Sequence, residues 1–310
     1  MLSAFSKPVP LCRDSLPPGK ADRAAITFGK SHRRQRRYLL TVLHIRLAPW
    51  LAGSSRFIQR QRTGESKGRK DLGGPQRLVL NTLAIFIISQ FLAAFLIGST
   101  AALLNANNAQ LDFTDQPPLF QFFYILIAEG LAIGLVHRII KKRGLTLSFI
   151  GLGRRPVWSD LWNAMAGFAV FFGLLILVNS LLAWLVPGFK TDQPQEVGFN
   201  NLNTGLDSLI AFMALVLLPP LGEEVLMRGY LYSGLRARWR FLPAMILTSL
   251  LFGVAHLQFG SSAPLVWGAA INTFILSVVL VHLRERTGVL YAGIAVHILN
   301  NLIAFGVHFL

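Results

Sequence analysis

An all-α, polytopic membrane protein of about seven spans is the fold class this sequence predicts. Three observations lead there. The chain of 310 residues is 53% hydrophobic, with mean hydropathy +0.51. Only 14% of its residues are charged, against roughly 25% in an ordinary soluble domain. From residue 78 onward, apolar runs recur at about the 20 residues an α-helix needs to cross the hydrocarbon core. Backbone N–H and C=O groups find no water in lipid, so such runs pair their own groups as helices.

The elements follow in chain order. Residues 1–77 hold 17 Lys/Arg against 4 Asp/Glu, leaving 13 and 10 for residues 78–310. The net charge of +16 therefore belongs to the tail and does not mark a nucleic-acid surface on the folded part. The tail is Arg-rich, poor in acids and interrupted by Pro and Gly. Three readings stay open for it: a disordered basic arm held near anionic headgroups, an organelle transit peptide, or a mis-assigned start. Its apolar patch Tyr38–Leu51 contains His44, Arg46 and Pro49 and is not read as a span. The single cysteine, Cys12, rules out a disulfide framework or a Cys-based zinc site within the chain.

Spans are predicted at about 78–104, 119–140, 162–186, 206–235, 241–259, 264–283 and 289–309. The fourth is overlong, and its last third is expected to leave the apolar slab. With the N-terminus inside, the cytoplasmic loops carry Lys141, Lys142, Arg143, Arg154, Arg155, Arg236, Arg238, Arg240, Arg284 and Arg286, whereas the outer loops carry only Lys190. Basic residues concentrate on the cytoplasmic face, so seven spans with the C-terminus outside is a coherent topology. The chain divides into the tail (1–77), upstream spans (78–204) and a C-terminal core (205–310).

Ionisable groups inside spans are costly and mark functional candidates. In "LLPPLGEEVLMRGYLY", Glu224 and Arg228 are four apart and share a helical face, where they can pair. Glu223 and Arg228 are five apart and about 140° divergent, so Glu223 is left as the unpaired carboxylate, suited to act as a general base; a charge cluster at the headgroup level is the alternative. In "LLFGVAHLQFG", Phe252 precedes His256 by one turn, and a lone His of this kind also serves packing or interfacial roles. In "AGIAVHILNNLIAFG", His297 and Asn301 are four apart and point the same way. Such a pair can hold a metal, a water or an oxyanion, or can join spans by hydrogen bonding. Glu129 lies mid-span, either beside the substrate cavity or as a paired structural group. Asn272 reads as an interhelical hydrogen-bond donor, and His137, His282 and His308 as interfacial groups.

Together the three stretches resemble the CPBP family of intramembrane proteases, the CAAX-protease and bacteriocin-processing (Abi) family, whose pattern is EExxxR, FxxxH and HxxxN on successive membrane helices. Here these are Glu223-Glu224-xxx-Arg228, Phe252-xxx-His256 and His297-xxx-Asn301. The resemblance covers about residues 205–310. It implies hydrolysis of a peptide bond within the membrane. Glu223 and His256 would activate a water, His297 and Asn301 would form the oxyanion hole, and Arg228 would orient Glu224, with Phe252 in support. No covalent intermediate is required. The family has also been labelled metalloprotease, and Glu223, His256 and His297 are a zinc-type ligand set, although no HExxH is present; the metal-free mechanism is preferred and zinc stays open. One tension accompanies this reading. Glu223 lies mid-helix and His256 near the outer end of its own span, a depth offset of about 10 Å. A tilt, a break after "LLPP" or a shifted fifth span would remove it.

The expected protein is thus a multi-pass membrane endopeptidase acting on a membrane protein or peptide, which is prenylated if the role is CAAX-type, with the lipid bilayer as its setting and no nucleic acid as partner. The plasma membrane with a cytoplasmic N-terminus is expected, or an organelle membrane if the tail is a transit peptide. Two other functions compete. One is a non-proteolytic scaffold or bacteriocin-immunity protein of the same fold; the other is a transporter using Glu129 and Glu223 as proton carriers.

Overall fold

The computed structural model describes residues 72–106, 117–186, 189, 198–199, 202, 204–257 and 267–309. The readings placed on the tail, including the patch Tyr38–Leu51, and on the loops holding Asp112, Lys190 and Glu196 lie outside them. The described residues form seven helices and no strand. They are α1 (Pro75–Ala106), α2 (Pro118–Lys142), α3 (Trp158–Leu185), α4 (Gly205–Arg236), α5 (Phe241–Ala255), α6 (Trp267–Thr287) and α7 (Tyr291–Phe309). Six are long and apolar enough to cross a membrane; α5 is the shorter one. The protein is an integral, multi-pass membrane protein.

The predicted spans coincide with these helices except at the fifth. That span was expected over 241–259, and the helix stops at Ala255, with His256 as its C-terminal cap residue. Fifteen residues rise about 22 Å, short of the roughly 30 Å hydrocarbon core. An α5 that starts at one interface therefore ends inside the slab.

α3 shows where the slab lies. Trp162 and Trp184 are 74% and 78% exposed and, being 22 positions apart, are separated by about 33 Å along the helix. Exposed indole rings at that spacing fit the two membrane–water interfaces, where Trp concentrates.

The helices pack in two groups, one around α6 and one around α4. α5 lies along α6, and α7 and α3 pack on other parts of it. Gly253 permits the closest approach: a Cβ there would sit 2.8 Å from the Ala270 carbonyl oxygen of α6. On the other side, α1 and α2 pair and both rest on α4. The aliphatic core between them and α4 includes Leu78, Val136, Ile140, Leu231 and Leu235.

The last third of α4, expected to leave the apolar slab, lies in a stretch enclosed by protein, every residue from Glu224 to Leu235 being buried. A polar latch explains how its charged groups tolerate that. The Glu285 carboxylate of α6 accepts from the Tyr232 hydroxyl at 2.5 Å and from Arg236 Nη2 at 2.9 Å. Arg284 Nη2 donates to the Phe149 carbonyl at 2.9 Å and to Ser233 Oγ at 3.1 Å. Gly151, at φ +87°, lets the α2–α3 loop lie against the Arg284 guanidinium; a Cβ at that position would come within 2.9 Å of Arg284 Cζ. Arg236 and Arg284, counted from sequence as loop charges, are thus tied into the fold. The Asn272 expectation holds in kind, with the roles reversed: Asn179 of α3 donates to the Asn272 carbonyl oxygen at 3.0 Å. His137 and His308 are exposed, whereas His282 is half-buried against Phe241.

Candidate active site

Two prolines set the winding of α4. Pro219 and Pro220 have no N–H, so the Leu215 carbonyl has no backbone donor at i+4 or i+5. The residues just before them, Met213–Leu217, relax into a π-helical turn in which the Leu218 N–H reaches the Met213 carbonyl. The donor Leu215 lacks comes from α7: Asn301 Nδ2 donates to its carbonyl at 3.0 Å. Asn300 Nδ2 in turn donates to Asn301 Oδ1 at 3.1 Å, which holds the Asn301 carboxamide in one orientation. Replacing Asn301 by leucine strands the carbonyl and is expected to lower stability by about 1–3 kcal/mol, measured by thermal unfolding in detergent.

A second π-helical segment, Glu224–Tyr232, begins at the glutamate pair. With i→i+5 bonding, residues five apart approach one another, so the 140° divergence computed for regular α-helix does not carry over to Glu223 and Arg228. The pairing itself is as expected. Arg228 Nη1 donates to Glu224 Oε1 at 2.7 Å, with both side chains buried. The guanidinium also lies over the Phe252 ring, with Cζ 4.1 Å from the centroid, a cation–π contact that strengthens in a dry setting. Phe252 therefore holds Arg228 from α5.

His297 completes the cluster from α7. Its Nδ1 lies 3.3 Å from Glu224 Oε1 and its Nε2 lies 3.8 Å from Glu223 Oε2. An ionised carboxylate only accepts, so Nδ1 carries the proton toward Glu224. Gly293, one turn before His297, makes the approach possible: a Cβ there would stand 3.2 Å from Glu224 Oε2. Glu223 is the different member of the pair. Its side chain is 24% exposed, against 1% for Glu224, and lines a cavity of about 460 Å³.

His256 lines the same cavity. Its Nδ1 donates to the Phe252 carbonyl at 2.8 Å, the arrangement in which Nε2 keeps its lone pair. The Phe252 ring stands 4.7 Å from the His256 ring and 5.9 Å from that of His297, so one phenylalanine separates the two imidazoles. The depth tension disappears because α4 and α5 form a hairpin through residues 237–240. Counted from that turn, Glu223 is about 20 Å deep and His256 about 24 Å deep. The offset counted this way is about 4 Å.

The structure thus brings together Glu223, Glu224, Arg228, Phe252, His256 and His297, with Asn301 one turn beyond His297 on α7. Among the described residues, no group of three His, Cys, Asp or Glu side chains is placed to hold an ion. Each imidazole directs Nδ1 to a protein oxygen and leaves Nε2 as its other nitrogen.

Several contributors were missed in sequence. Gly222 is one: a Cβ there would fall 1.8 Å from Glu129 Oε2, so the glycine admits the Glu129 carboxylate of α2 against α4, one residue before Glu223. An isolated glycine inside a helical pattern was the available signal. Gly222→Ala is expected to displace Glu129 or the α4 backbone, lowering hydrolytic activity at least tenfold with a loss of about 1–3 kcal/mol, measured by turnover and thermal unfolding. Gln90 of α1 and Tyr124 of α2 are two more. Both line the cavity beside Glu223 and His256, and neither belongs to any of the three motifs.

Fold and site together define a class: a polytopic helical membrane protein with a carboxylate–imidazole centre recessed within its bundle. Residues 205–303 match the Rce1-like family model, type II CAAX prenyl endopeptidase Rce1-like. The match covers about a third of the chain, from α4 into α7, and contains all three motifs. It agrees with the CPBP resemblance carried by those motifs. No curated protein and no solved structure matches the chain.

Proposed function

We propose that this protein is an intramembrane endopeptidase that hydrolyses a peptide bond of a membrane-associated substrate with a water activated by Glu223 and His256. The observation that carries the proposal is the unequal treatment of two adjacent glutamates. Glu224 is fully buried and paired with Arg228, whereas Glu223 is 24% exposed and lines a cavity it shares with His256. The match of residues 205–303 to a CAAX-type endopeptidase family supports the same reaction.

In this mechanism, Glu223 accepts a proton from water as the oxygen attacks the scissile carbonyl carbon, with the Nε2 lone pair of His256 orienting the water. The C–N bond then breaks, and the proton taken from water passes to the leaving amine. A positioned base contributes about 10²–10⁴-fold. His297 serves the oxyanion. Its Nε2 is assigned to the oxyanion, with Nδ1 turned to Glu224. Asn301 has two amide hydrogens; one goes to Leu215 and the other is assigned to the oxyanion. The proposed mechanism uses no metal. We place the N-terminus on the cytoplasmic side of the plasma membrane, on the bias of Lys and Arg toward the loops of one face.

The test is comparative proteomics of membranes containing the wild-type or the Glu223→Gln protein. An uncleaved species is expected to accumulate with the variant, and a chelator added to wild-type membranes is expected to leave cleavage unchanged. Identical proteomes at equal expression would favour the scaffold reading instead.

A further inference from the structure

The cavity beside Glu223 has a second polar wall that none of the three motifs supplies. Thr82, Leu83, Phe86 and Gln90 form a stripe along α1 at helical spacing and face the cavity, joined by Tyr124 from α2. The Tyr124 hydroxyl donates to Gln90 Oε1. That bond uses the acceptor of the Gln90 carboxamide and the proton of the phenol. It leaves the two N–H groups of Gln90 Nε2 beside the lone pairs of the Tyr124 oxygen. A donor and an acceptor therefore stand together on the wall of a cavity whose other walls are Leu83, Phe86, Leu226, Met227 and Leu251.

We infer that Gln90 and Tyr124 are substrate-positioning residues that hydrogen bond a backbone peptide group of an uncharged, apolar segment and set its scissile bond against Glu223 and His256. The inference rests on the hydrolase reading and deepens it. A peptide group presents one N–H and one C=O, the complement of this pair. The lining residues include no Lys or Arg, so an anionic group entering here would be desolvated without a counter-ion, at high cost. An acidic side chain would in addition meet the Glu223 carboxylate. A neutral stretch with apolar side chains satisfies both the polar wall and the apolar ones, as expected for pockets that orient a ligand with a few placed polar groups.

The competing role for the pair is as an interhelical tie between α1 and α2, and kinetics separates the two. The probe is the uncleaved species recovered from Glu223→Gln membranes, reconstituted in liposomes with purified enzyme. With Gln90→Leu and Tyr124→Phe, KM is expected to rise about tenfold, the loss of roughly one well-placed hydrogen bond, with kcat within about twofold of wild type and an unchanged unfolding temperature. Introducing Asp next to the scissile bond of that species is expected to block cleavage, while Asn is tolerated. Wild-type KM in both variants would overturn the positioning role while leaving the hydrolase reading intact. A parallel fall in kcat and unfolding temperature, with KM unchanged, would assign the pair to structure instead. If no species accumulates with Glu223→Gln, the hydrolase reading fails first and this inference falls with it.

Discussion

Glu223→Gln is expected to reduce hydrolysis by at least 10³-fold while leaving the fold intact, and Glu224→Gln to do something different. Glu223 has a partly accessible side chain, an oxygen without a hydrogen-bond partner and a 3.8 Å separation from His297 Nε2. An amide of the same shape removes the base and only the long 3.8 Å contact with His297, so the stability change should stay within about 1 kcal/mol. The activity loss follows from removing the proton acceptor, worth about 10²–10⁴-fold. Glu224 is buried between Arg228 at 2.7 Å and His297 Nδ1 at 3.3 Å. Making it neutral leaves the guanidinium uncompensated, and the expected loss is about 3–5 kcal/mol. Unfolding temperature and turnover, measured on both variants in the same detergent, check the contrast. Equal behaviour of the two would show that the adjacent carboxylates share one role.

Arg228→Met is expected to be the most destabilising single change near the site, by about 3–5 kcal/mol. Arg228 and Glu224 are both sequestered from solvent, and Phe252 covers the guanidinium at 4.1 Å. Removing the cation leaves a buried carboxylate with only His297 to face. The double variant Glu224→Gln/Arg228→Met removes both charges and is expected to recover most of the loss, because a buried ion pair replaced as a unit is close to neutral. Arg228→Lys is expected to rescue little. An ammonium lacks the planar fork that donates to Glu224 while lying flat on a ring. A double-variant cycle of unfolding free energies provides the check. Additive losses would mean that the pair contributes nothing as a pair.

Much of this protein was legible from residue order because a bilayer imposes simple rules. Apolar runs of about 20 residues can only be helices, and six of the seven appeared where hydropathy placed them. The Glu224–Arg228 pair was readable because a four-residue spacing is a local property of a helix. Other features depended on partners distant in sequence. The enclosure of Glu224–Leu235 involves Glu285 and Arg284, which lie about 50 positions later. The π-helical turn Met213–Leu217 follows from prolines whose stranded Leu215 carbonyl is satisfied by Asn301.

The order of amino acids alone thus determined the membrane class, the helices and the residue types available for chemistry, since each depends on local composition and spacing. The tertiary structure decided what encloses the Glu224–Arg228 pair, how deep His256 lies, and which upstream side chains face the cavity. Those outcomes depend on where α1, α2, α5 and α7 come to rest against α4. Charge neutralisation and close packing act through space, between atoms that the chain places tens to hundreds of residues apart.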